Sequence, residues 1–333
     1  MLQSFGSNGY YSYSASPSLQ TFQSFLPMAP HSIRKPTPLD LSLMLFLTLI
    51  WASSIIAIKV AVPETGPVWL AAMRVSIGFL FLLPWTLYHG IILPSSAKSW
   101  ANLFIISLLN VSMPFMLISW AELSISAGIT SLLLGTGPLL SLVFSHLTTH
   151  DDKFNKFKVI GIILGFGGIS LVVGNEALQS VGAGSILSMS AVLGASLCYA
   201  ISGAMIRQVK DIAPTRLATL ILGCATVELI GIGMLEGVPE LASLSHEAWG
   251  SILFLGLLPT GLATILRYQL IWAIGASFFS LGMNLIPIFG VILGALLLAE
   301  QVALTTWIAL VLILSGLMVA RTHPKDKQIT GKV

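Results

Sequence analysis

Residues 280–301, SLGMNLIPIFGVILGALLLAEQ, constrain the chain more than any other stretch. The run is apolar, interrupted near its middle by Pro287, followed by the small-residue pair Gly290 and Gly294, and closed by Glu300. A shift of 149 residues towards the N-terminus finds the pattern again in residues 131–152, SLLLGTGPLLSLVFSHLTTHDD. Ser131 then aligns with Ser280, Leu132 with Leu281, Pro138 with Pro287, Leu147 with Leu296 and Gly167 with Gly316, while Asp151 faces Glu300. An internal repeat of about 145 to 150 residues means that the fold is one unit written twice.

Composition decides the solvent in which that unit folds. Of 333 residues, 55% are hydrophobic and only 9% charged. A soluble domain carries about 25% charged residues, so this chain cannot cover its own surface with polar groups. It reads as an all-α integral membrane protein. Cys198 and Cys224 both lie inside apolar runs and read as small buried hydrophobes, with no disulfide or metal framework.

Ten segments approach the ~20 residues that a bilayer core requires: 41–61, 66–87, 100–119, 126–147, 157–174, 183–205, 214–235, 249–269, 276–298 and 303–321. They lack the alternation of a membrane barrel. Loops on the side of the two termini hold 13 of the 16 Lys and Arg residues. The opposite loops hold none, and carry Glu64, Glu122, Glu176, Glu236, Glu240, Glu247 and Glu300. By the positive-inside rule both termini are cytoplasmic. Five helices per copy is an odd number, so the second repeat (182–321) is inverted relative to the first (40–175). Inverted repeats around a midplane site are a transporter signature. Residues 1–39 read as a disordered cytoplasmic tail and 322–333 as a second one. An organelle transit peptide and a start at Met28 stay open as readings of the first.

The apolar runs also resemble the drug/metabolite transporter superfamily, in its EamA type of ten-helix transporter. The resemblance is carried by WASSIIAIKVAV (51–62), LAAMRVSIGFLFL (70–82), SAGITSLLLGTGPLLSLVFSHL (126–147) and NLIPIFGVILGALLLAEQ (284–301), four weak patterns in order. It implies a basket of helices around a central cavity, helices 5 and 10 at the back, and movement of small polar metabolites such as amino acids, usually outward. The pair Asp151–Asp152, standing where the second repeat keeps Glu300, departs from the pattern.

Charged groups inside a membrane are costly and therefore functional candidates. Arg74 lies deep in the second segment and reads as the holder of an anionic group. Glu228 is the one carboxylate well inside an apolar run. Either it is a proton-coupling residue, or it is paired with Arg74 or Lys59. Lys59 either couples and gates with Glu228 or snorkels to the interface, and Arg267 reads as snorkelling. Asn110 and Asn284 place amides in apolar runs, where each must find a partner or a substrate. Pro138 and Pro287 free carbonyls near Leu134 and Met283, and matched helix breaks point to a binding site. Trp51 and Tyr199 are deep enough to line that site with Arg74, Asn110 and Asn284.

The expected function is secondary export of a small polar metabolite by alternating access, in a bacterial-type inner membrane. Uptake or exchange by the same architecture, and a non-transporting scaffold or lipid-handling protein, stay open. No nucleotide-binding loop and no metal spacing is present, so no cofactor is expected, nor an enzymatic role. The expected partners are the solute and the bilayer, without nucleic acid; a homodimer stays open.

Overall fold

The chain enters its first helix through Thr37. Its hydroxyl accepts the Asp40 amide at 3.3 Å, the Asp40 carboxylate accepts the Thr37 amide at 2.8 Å, and Pro38 supplies the φ of the first turn. Arg34 pairs with Asp40, and its amide donates to Ala273 O at 3.2 Å. Arg34 thereby supplies the counter-charge that a buried carboxylate such as Asp40 needs.

The computed structural model describes residues 34–91, 93–148, 155–179, 183–209 and 212–321. The remainder of both expected tails, Asp151 and Asp152 lie outside the described residues. Among the described residues every regular element is helical. The helices are α1 (Pro38–Thr65), α2 (Pro67–Tyr88), α3 (Ala97–Ala121), α4a (Ala127–Leu134) and α4b (Gly137–Thr148), and α5 (Lys156–Gln179). They continue with α6 (Ala183–Ile206), α7 (Pro214–Glu236), α8 (His246–Ile274), α9a (Ala276–Met283) and α9b (Leu285–Leu297), and α10 (Leu304–Ala320). Nine membrane spans in the described residues meet the length and hydropathy of a crossing helix, and the shorter α10 is equally apolar. This is a ten-helix membrane protein. Large apolar side chains face outward on helix after helix, among them Leu80 at 62%, Ile163 at 65%, Val227 at 63% and Val311 at 63% exposure. On helices of membrane-spanning length, a surface of that kind is what lipid covers.

The packing obeys the repeat. α5 lies along α10, α2 along α7 and α4a along α9b, while α1 packs on α8 and α3 on α6. Exchanging α1 with α6, α2 with α7 and so on returns the same pairs of spans, the mark of a pseudo-two-fold axis between inverted copies. There is one departure: among the described residues, α4a on α9b has no comparable counterpart of α4b on α9a. α10 packs chiefly on α5, and glycines set how closely. A Cβ on Gly161 would stand 2.4 Å from Gly316 O, and one on Gly316 2.5 Å from Gly161 O. Small residues are what let two helix backbones meet in lipid.

Candidate functional site

The fourth and ninth spans, expected as single helices, are each in two pieces. α4a stops before Gly135 and Thr136, α9a stops before Asn284, and the prolines follow at 138 and 287. Proline lacks the amide that would bond the carbonyl four residues back, and its ring crowds that carbonyl. The two breaks touch: a Cβ on Gly135 would lie 2.7 Å from Pro287 Cγ. The first and last described residues, Arg34 and Arg321, bond Ala273 O and Ser280 O on either side of the α8–α9a connection, and the face they share is called near, the other distal. On the distal side α4a and α9b pack along each other. On the near side α4b and α9a make no comparable interface among the described residues. Among the described residues the fourth and ninth spans thus form a V, joined distally and diverging towards the near face.

A second matched pair of irregularities was not legible in the sequence. α3 widens into a π-turn at Leu108–Ser112, and α8 does so at Gly256–Leu262. The repeat shift of 149 carries the first onto residues 257–261, inside the second. π-turns leave backbone groups in altered register and concentrate at functional sites. At the α8 turn, Trp51 Nε1 donates to Pro259 O at 3.2 Å and Arg74 Nη2 donates to Thr260 Oγ1 at 3.3 Å. At the α3 turn, Asn110 Nδ2 donates to Ser202 Oγ at 3.0 Å, and the Glu228 carboxylate accepts from the hydroxyls of Ser107 and Ser112. Each turn is gripped by one residue of α1 or α6 and one of α2 or α7, always from the other repeat. The charges at the two grips are opposite.

Arg74 is 4% exposed, and its Nε has no hydrogen-bond partner. Its guanidinium lies 4.0 Å from the Phe115 ring centroid, and Tyr199 is within electrostatic reach. Among the described residues it has no carboxylate partner: the one side-chain ion pair described is Arg34 with Asp40. Trp51 meets Phe279 edge-on at 6.4 Å. Asn284 stands at the α9 break beside Met283, which packs in the cluster that holds Trp51. Trp51, Arg74, Asn110 and Tyr199 therefore gather around the two π-turns, with Asn284 at the break next to them.

The sequence reading left Glu228 either a coupling residue or the partner of Arg74 or Lys59. Among the described residues it bonds neither cation, and its carboxylate accepts from two serines. A π-turn has more residues per turn, so Ser107 and Ser112, five apart, present their hydroxyls to one acceptor. Ser107, Ser112, Ser202 and Thr260 were passed over in the sequence because a hydroxyl in an apolar helix ordinarily bonds its own preceding turn. Thr260 does this too, reaching Leu255 O at 2.8 Å.

Lys59 is spent elsewhere. Its ammonium donates to the carbonyls of Glu122 and, at 2.6 Å, of Ile125, closing the end of α3 on the distal face. There Ala299, a non-glycine residue at φ 52°, turns the chain so that Glu300 points back into the bundle. The Glu300 carboxylate accepts the amides of Ala127 at 2.7 Å and Gly128 at 3.0 Å. Ser126 Oγ takes the next free amide, from Ile129, at 3.3 Å. The first turn of α4a is thus capped largely by the opposite repeat. A Cβ on Gly294 would stand 2.6 Å from Glu300 Oε2, so that glycine makes room for the carboxylate. Glu64, at the end of α1, accepts the Ser245 amide at 2.7 Å and hydroxyl at 2.6 Å, and Trp69 Nε1 donates to Gly237 O at 2.7 Å.

Glu122 completes this distal cluster. It is 0% exposed, and neither carboxylate oxygen has a hydrogen-bond partner. Burial pushes its pKa up to about 8; the nearby Thr130 hydroxyl, outside hydrogen-bonding geometry, and Lys59 pull it back, while Glu300 adds to the rise. The sequence had placed Glu122 and Glu300 among ordinary loop carboxylates.

The EamA-like transporter family matches residues 39–174 of this chain and again residues 186–322. An uncharacterised transporter of Bacillus subtilis, YoaV, is 27% identical over 277 residues, covering 81% of this chain and 92% of its own. An uncharacterised transporter of Archaeoglobus fulgidus is 26% identical over 275 residues, covering 81% and 94%. The uncharacterised inner membrane transporter YedA of Escherichia coli is 24% identical over 265 residues, covering 79% and 84%. A solved crystal structure superposes with a TM-score of 0.59 at 20% identity, covering 85% of this chain and 96% of its own, a likeness of fold.

Proposed function

The chain belongs to the EamA-like transporter family, and from that premise we propose that it exports a small polar metabolite bearing an anionic group, such as an amino acid or a related solute, by alternating access. The observation that carries the anionic part is Arg74. A guanidinium at the centre of a membrane bundle costs several kcal/mol unless an anion or a water-filled cavity receives it, and among the described residues Arg74 faces a hydroxyl and a ring. An entering carboxylate supplies the missing charge and competes with Thr260 for Nη2. Asn110, Tyr199, Asn284 and Trp51 offer amide, phenol and indole groups to the rest of the solute. The V between the fourth and ninth spans supports a conformation open to the near face. We assign that face to the cytoplasm from the loop charges and the membrane to the inner membrane, so solute enters from inside.

The test compares solutes in cells and medium for strains overproducing the wild type, Arg74→Ala, or neither. A solute enriched outside with the wild type, and not with the folded variant, names the substrate and supports export. Enrichment inside reverses the direction to uptake. Unchanged pools with a folded, membrane-inserted wild type overturn transport and favour a scaffold.

A further inference from the structure

The distal cluster holds a buried group that solute binding at Arg74 does not use. Glu122 leaves the last turn of α3 and points into a site closed to water. Three groups from other elements face it. Lys59, from α1, is committed to main-chain carbonyls, one of them that of Glu122 itself. Thr130, from α4a, has a buried hydroxyl without a partner. Glu300, after α9b, is committed to the amides that begin α4a. An ionised carboxylate here would be buried, unbonded and next to a second carboxylate, and each of these disfavours the charged form. A neutral carboxyl has an O–H to share with Thr130 and no charge to solvate.

We propose that Glu122 is a proton-binding site coupled to the distal gate: the distal face closes with one proton on Glu122, and opens as that proton passes to distal water. The inference rests on the alternating-access reading above. Opening separates α4a from α9b, and with them Glu300 from the amides of Ala127 and Gly128. Water then reaches Glu122, whose pKa returns to the ordinary ~4.3 of a glutamate. The sign follows from those two states. The closed form has the raised value, about 8, so it is favoured most below the open-state value and loses that advantage as pH rises through 8. Between the two values the ratio of closed to open falls about tenfold per pH unit, as for one linked proton. Acid on the distal side therefore holds the protein open to the near face.

The experiment uses the full chain in lipid nanodiscs, with Cys198 and Cys224 replaced by Ala. Spin labels at Ser124→Cys and Leu297→Cys, both exposed positions on the distal ends of the two halves, report the gap. Infrared difference spectra report the C=O stretch of protonated carboxyl groups. The expected result is a protonated-carboxyl band at neutral pH that Glu122→Gln removes, and a label distance that lengthens from about pH 5 to about pH 9. In Glu122→Gln, which mimics the neutral form, the distance stays short throughout; Glu122→Asp keeps a pH response. A band unaffected by Glu122→Gln overturns the proton site. A band that behaves as expected with a label distance that ignores pH overturns the coupling. If the distance also ignores Gly290→Ala, which strains the closed face, the alternating-access reading fails as well, by a separate readout.

Discussion

Gly290→Ala tests the distal closure at its tightest point. A Cβ at residue 290 would lie 1.9 Å from Ser131 Oγ and 2.3 Å from Ser131 Cβ. The hydroxyl can rotate away, and it has no hydrogen bond to lose. The Cβ of Ser131 cannot move without its backbone, so α4a and α9b must part by roughly 1.2–1.7 Å to restore van der Waals contact. Overpacking of this kind costs about 1–3 kcal/mol. If only the closed form makes the contact, its population falls by roughly 5- to 150-fold relative to the open form. Ser131→Gly removes both clashing atoms and leaves Ser131 Cα at 3.7 Å, an ordinary contact. On its own that change weakens α4a by about 0.5 kcal/mol. The double variant should therefore be more stable than Gly290→Ala alone, with a coupling of at least about 1 kcal/mol. Thermal unfolding of the purified protein in detergent measures the stabilities, and the distal label distance measures the populations. A neutral Gly290→Ala, or a double variant with simply additive losses, would refute the close crossing on which the closed face depends.

Three further substitutions probe the other contacts. Glu300→Ala should lower the stability of the closed form by about 0.5–2 kcal/mol through loss of the α4a cap, with Glu300→Gln intermediate, both read by thermal unfolding. Trp51→Phe deletes the bond to Pro259 O and should cost about 1 kcal/mol while slowing solute movement at unchanged membrane yield; unaltered transport would remove the indole from the site. Glu228→Gln keeps one acceptor oxygen for Ser112 and gains an N–H that Ser107 Oγ can accept while its own hydroxyl keeps Phe104 O at 2.8 Å, so it should destabilise by no more than about 1 kcal/mol; a larger loss in thermal unfolding would refute this sharing of the α3 turn.

The resemblance among weak apolar patterns pointed to the right family, and the composition to the right solvent. Pro138 and Pro287 stand within four residues of both observed interruptions, since a missing amide acts on its own helix and needs no tertiary context. The residues that meet at the two π-turns were legible one by one and not in their pairing. Arg74, Glu228, Asn110 and Trp51 stood out because polar groups are rare in apolar runs, yet each has a partner that the sequence did not mark. Lys59 and Glu228 were expected to work together and are spent on separate partners.

What the sequence by itself determined is whatever accumulates residue by residue: ten apolar spans, a repeat at a shift of 149, and a one-sided distribution of charge. The tertiary structure alone decided the two π-turns, the serines that hold Glu228, the reach of Glu300 across the repeats and the burial of Glu122. A π-turn is a local change of register that an apolar run accommodates without altering its composition. Whether a loop carboxylate meets water or the first turn of a helix from the other repeat depends on how two segments some 170 residues apart come together, and no local pattern records that.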